Sequence, residues 1–130
     1  MTLIRLLILF ILSTAAAPAV SQTSVAEQQD AQVIESLRAN GSDLSKPHDI
    51  DFFLIFSGQP QAVAAASVIE KLGYTIVSVE SSPDQSQWQV HAKRQMVPAL
   101  DAMIATTRTL EDLAQSHGGY YDGWGTAAVR

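Results

Sequence analysis

Ile50 to Phe56 (Ile-Asp-Phe-Phe-Leu-Ile-Phe) is the most apolar stretch of the chain beyond residue 21, with three Phe and two Ile around Leu54. So short an aromatic, β-branched run reads as a strand, and its continuity predicts a central strand covered on both faces. Asp51 marks the end of the run nearest solvent. Ser57-Gly58-Gln59-Pro60 breaks the strand. After it, Ala62, Ala65, Ala66, Ile69 and Leu72 recur at helical spacing, and Gly73 closes the helix. Tyr74 to Glu80 is short and β-branched, hence a second strand, followed by a hairpin loop from Ser81 to Ser86 around Pro83-Asp84. From Gln87 to Lys93 the chain alternates. Trp88, Val90 and Ala92 point one way and Gln89, His91 and Lys93 the other, which predicts a strand with one buried face.

Pro98 suits the first turn of a further helix. Along it Leu100, Met103, Ile104, Thr107, Leu113 and Ala114 share a face as far as His117, and Gly118-Gly119 stops it. Upstream, Thr23 to Asn40 reads as a helix. Ser24 and Glu27 have capping-box spacing, Val33, Ile34 and Leu37 form the apolar stripe, and Asn40-Gly41 is the stop. Ser42 to Asp49 is a loop. The order is a helix followed by β-α-β-β-α-β. Two split β-α-β units predict a ferredoxin-like sandwich, an α+β fold with a four-stranded antiparallel sheet and helices on one face. Its first and third strands are expected at the centre.

The least generic segment comes last: Tyr120-Tyr121-Asp122-Gly123-Trp124-Gly125-Thr126, in a chain with only 7% aromatic residues. Asp-Gly favours a turn, and Gly125 allows close backbone approach. Two readings stand. The aromatics seal one end of the core, or Trp124 and one Tyr remain exposed as a docking surface. Ala127 to Val129 is expected as a short edge strand.

The other end of the chain has a different character. Arg5 precedes the apolar block Leu6 to Leu12, and small residues follow to Ala19. Positive, apolar, then small is the order of a secretory leader, and the stretch is short for a membrane span of roughly 20 residues. Residues 1–21 are therefore expected to be a cleaved leader and residues 22–130 the domain, periplasmic or secreted. The alternative is a membrane anchor formed by an uncleaved N-terminus.

Chemistry is sparse. There is no Cys, which excludes thiol nucleophiles, disulfides and zinc–cysteine sites. Thirteen acidic residues against eight basic ones give a net charge of -5, or -6 without Arg5, so nucleic acid is not an expected partner. Ser57-Gly58 lacks a nucleophile-elbow frame, and no phosphate-binding glycine loop occurs. His91 and His117 read as structural. His48 with Asp43, Asp49 and Asp51 is the one cluster of metal-ligand residue types, without completing a known spacing. No enzyme activity, metal or cofactor is expected.

The ending Tyr121-Asp122-Gly123-Trp124-Gly125-Thr126, after the helix end at Leu110 to Gly119, resembles the RraB family of ribonuclease E regulators. Leu37 with Gly41-Ser42-Asp43, Ile50-Asp51-Phe52-Phe53 and Leu72-Gly73-Tyr74 are similar to that family's junctions, so the resemblance spans Val33 to Thr126. It implies a ferredoxin-like fold and a non-enzymatic protein that binds and inhibits ribonuclease E, with Tyr120 to Thr126 as the expected partner-binding segment. An exported domain would instead meet an envelope protein. A small-ligand or metal-binding periplasmic protein using Asp43, His48, Asp49 and Asp51 is the other expectation.

Overall fold

The computed structural model describes residues 24–130; the leader expected over residues 1–21 lies outside them. Helix α1 (Val25–Ala39) is followed by strand β1 (His48–Phe56), helix α2 (Gln59–Lys71), strands β2 (Thr75–Ser81) and β3 (Trp88–Met96), helix α3 (Leu100–Ser116) and strand β4 (Gly119–Thr126). The four strands form one antiparallel sheet in the order β2-β3-β1-β4. This is the ferredoxin-like α+β arrangement, with β1 and β3 central as their apolar content predicts. Among the described residues, no helix is long and apolar enough to cross a membrane.

The core lies between the sheet and the helices. Ile50, Phe52, Leu54 and Phe56 of β1 and Val90 and Ala92 of β3 are fully or almost fully buried. They meet Ala62, Ala65 and Ile69 of α2 and Met103, Leu110 and Ala114 of α3. Each large side chain so buried contributes about 1.5–3 kcal/mol. Helix α1 is the addition to the sandwich, and it packs on α3 and β4. Ser24 caps it by accepting the Glu27 amide at 3.1 Å.

Several expectations are corrected. β1 begins at His48, two residues early, because His48 and Ile50 both point into the core. The helices cover only one face of β1; Asp51, Phe53 and Ile55 alternate onto the other. Pro98 precedes α3 instead of opening it: Ala99 is the N-cap, and Leu100 is exposed. The last strand is the aromatic segment itself. Residues 127–130 form no strand and instead lie along the loop after α1, where Asp43 N donates to Val129 O at 2.6 Å and Arg130 Nη2 to Asn40 O at 2.8 Å.

The Asp122-Gly123 pair makes a bulge, not a turn. Phe53 pairs with Gly123 and Leu54 with Tyr121, so Asp122 is the extra residue, and Gly123 takes φ +103°. The bulge resets the alternation of side chains. It puts both Tyr121 and Trp124 on the helix side, three positions apart, which a regular strand cannot do.

Candidate functional site

β4 has an inward and an outward half. On the helix side Trp124 lies opposite Phe52 and Tyr121 opposite Leu54, each 9% exposed. A buried indole needs an acceptor for its N–H. Asp30 of α1 supplies one: its Oδ1 accepts Trp124 Nε1 at 2.8 Å and the Thr107 hydroxyl of α3 at 2.9 Å. One carboxylate thus joins α1, α3 and β4. Burial raises the Asp30 pKa above its ordinary value, against the two hydrogen bonds and with a further push from the Glu27 charge. Asp30 Oδ2 and the Tyr121 hydroxyl are the two buried side-chain polar atoms without a partner among the described residues. Burial also raises the Tyr121 phenol.

The neighbouring contacts between α1 and α3 are polar too. Arg108 grips Glu27 with both ends of its fork, Nε to Oε2 at 2.9 Å and Nη2 to Oε1 at 3.1 Å. That hydrogen-bonded pair holds the Glu27 carboxyl below its usual range and raises the arginine. Ser24 Oγ donates to Glu111 at 3.3 Å, and burial raises the Glu111 pKa.

The outward half faces away from the helices. Tyr120 is 51% exposed, Asp122 is exposed, and a Cβ added at Gly123 or Gly125 would meet open space. Register places Gly123 beside Phe53, Gly125 beside Asp51 and Tyr120 beside Ile55. Phe53 stacks on His91 of β3, with centroids 4.8 Å apart and planes inclined by 25°. His91 Nε2 contacts Asp51 Oδ1 at 2.7 Å, and Lys93 Nζ lies 3.9 Å from the same oxygen. Thr126 is not free, because its hydroxyl donates to the Asp49 carbonyl at 2.7 Å.

The expected His48 cluster does not assemble. His48 is fully buried with both ring nitrogens engaged, Nδ1 to the Lys46 carbonyl at 2.8 Å and Nε2 to the Ser42 hydroxyl at 2.6 Å. A proton on Nδ1 satisfies both contacts, with Ser42 donating to Nε2 and accepting the Val129 amide at 2.9 Å. Asp43 turns instead to Ser45, Asp49 to Gln95 and Asp51 to His91. Among the described residues no three His, Asp or Glu converge as a metal site. His117 caps α3, its Nδ1 against the Leu113 carbonyl at 2.9 Å.

The sequence reading missed Asp30, took Glu27 only as the cap partner of Ser24, and misplaced Phe53. Asp30 and Glu27 lie on the same stripe as Ile34 and Leu37, at spacings of three and four, so the pattern already put two carboxylates on the buried face of α1. Phe53 was counted as core because the apolar run is continuous. The alternation of β3 opposite it, with Gln89 and His91 on the polar side, carried the contrary signal.

No curated protein matches the chain. The family model described as regulator of ribonuclease activity B matches residues 27–126, from the Glu27–Arg108 pair to the end of β4. The chain therefore belongs to the RraB family.

Proposed function

We propose that this chain is a non-catalytic regulator that binds ribonuclease E, and that the outward half of β4 forms part of the contact. The observation that carries the reading is the division of the family's terminal segment. Tyr121 and Trp124 are consumed by the core and by Asp30, while Tyr120 and Gly125 face outward on an edge strand with no contact among the described residues to explain them, beside the bulge residues Asp122 and Gly123. Tyrosine is enriched among residues that dominate protein interfaces. Equilibrium binding of the full chain to purified ribonuclease E tests this. Tyr120→Ala, a change at an exposed side chain, is expected to weaken binding by about tenfold or more while leaving the fold intact. Unchanged affinity removes β4 from the contact, and absence of binding by the unaltered chain removes ribonuclease E as the partner.

The positive, apolar, small order of residues 1–21 favours a second reading, in which the domain is exported and regulates an envelope protein. Intact mass of the natively expressed protein separates the two. A species starting at Val20 or Gln22 in the exported fraction supports export, and a full-length cytoplasmic species contradicts it.

A further inference from the structure

The face of the sheet turned away from the helices is uncovered among the described residues, and its composition is unusual for a solvated surface. Its middle is apolar: the half-buried Phe53 stacked on His91, with the largely buried Ile55 and the exposed Tyr120 in the adjoining row. Two shallow depressions of about 220 Å³ each meet along Ile55 and Gln87. Tyr120 borders one of them and Glu80 the other. A Cβ added at Gly123 or Gly125, beside Phe53 and Asp51, would meet open space. A strand that needed only one buried face would alternate apolar with polar residues. β1 instead keeps Phe53 and Ile55 on the outer side.

Around this apolar strip carboxylates outnumber cations. Asp49, Asp51 and Glu80 project from the same face, and Asp122 is exposed at the bulge on its edge. Among the described residues, the one fixed cation on the face is Lys93, which lies beside Asp51. Such a surface repels phosphate. Single-stranded RNA would find an aromatic platform in Phe53 and His91 but not the cations that supply most nucleic-acid affinity. A cationic side chain finds both an aromatic ring to stack on and carboxylates beside it.

We infer that this face is the docking surface for a basic peptide segment of a protein partner, with an aliphatic side chain seated at Ile55 and Tyr120 and cationic side chains over Phe53 and against Asp51 and Glu80. The inference rests on the protein-binding reading above for the existence of a partner, and it adds the partner's chemistry. Strand-like peptides present alternate side chains to a sheet, so a sequence alternating basic and aliphatic residues matches the strip.

The test uses the full chain and three probes: a short peptide alternating Arg and Leu, the same peptide with Glu for Arg, and a short single-stranded RNA. The Arg/Leu peptide is expected to bind saturably, more weakly as salt rises, and to shift the amide resonances of Phe53, Gln89, His91 and Tyr120. Glu80→Gln combined with Asp51→Asn is expected to weaken it about fivefold, and Tyr120→Ala about tenfold. Glu35→Gln with Glu70→Gln, on the exposed sides of α1 and α2, is expected to change it less than twofold. Preferred binding of the Glu/Leu peptide or of RNA overturns the proposal. So do resonance shifts confined to the helices, or equal losses from the helix and sheet variants. Ribonuclease E binding without any peptide binding sinks the basic-segment claim alone. Peptide binding on this face without ribonuclease E binding sinks the ribonuclease reading alone.

Discussion

Trp124 donates its indole N–H to Asp30 Oδ1 at 2.8 Å, a bond between residues 94 positions apart that fastens α1 to the last strand. The most distinctive aromatic residue of the chain therefore works inside the fold. Trp124→Phe keeps most of the ring volume but takes one of two donors from a buried carboxylate. The expected loss is about 2–3 kcal/mol in urea unfolding, since hydrogen bonds to charged groups carry roughly 1.5–3 kcal/mol. Tyr120→Ala, by contrast, should stay within about 0.5 kcal/mol of the parent.

The two buried carboxylates of α1 impose opposite pH dependences. The Asp30 pKa is raised in the fold above its ordinary 3.8, so the folded state holds this proton more tightly than the unfolded chain. Its contribution becomes unfavourable as pH rises from that ordinary value through the folded one, then levels off. The Glu27 pKa is lowered from 4.5, so its pairing with Arg108 stabilises above that value and is lost as pH falls through the folded one. Asp30→Asn is thus expected to gain on the parent as pH rises from about 4 towards neutrality, and Arg108→Ala to lose most at neutral pH. Denaturant midpoints across that range check both signs.

The bulge sets a clear contrast between two glycines. Gly123 sits at φ +103° with open space around it, so Gly123→Ala costs backbone strain alone, on the order of 1–2 kcal/mol. Gly119 abuts the Ile55 carbonyl and the Phe56 ring, and a methyl group there overpacks the strand junction. Gly119→Ala should cost about 3 kcal/mol, the larger of the two in thermal unfolding.

Ser42→Ala removes the donor to His48 Nε2 and the acceptor for the Val129 amide together. The expected penalty is about 1–3 kcal/mol, with faster hydrogen exchange at Val129. Unaltered exchange at Val129 would show that the C-terminal residues are held by other contacts.

The order of elements was legible because each rests on a local pattern: the Ser24 cap, the small-residue stripe of α2, the alternation of Trp88, Val90 and Ala92. The errors were non-local. Asp-Gly has the chemistry of a turn, yet pairing with Phe53 and Leu54 on either side pulls it into the sheet as a bulge. His48 was grouped with nearby acids because sequence proximity is visible and side-chain direction is not; its ring points inward to Ser42. The split of the terminal motif into a buried and an exposed half could not be read from residue types. It depends on the extra residue at Asp122, which turns Tyr121 and Trp124 to the same side.

The most direct measurement is the rate of RNA cleavage by purified ribonuclease E titrated with this chain. The account predicts a saturable fall in rate, displaced to higher concentration by Tyr120→Ala and by Asp51→Asn with Glu80→Gln, in variants that remain folded. A rate that stays constant across the titration, or falls equally with every folded variant, would contradict it.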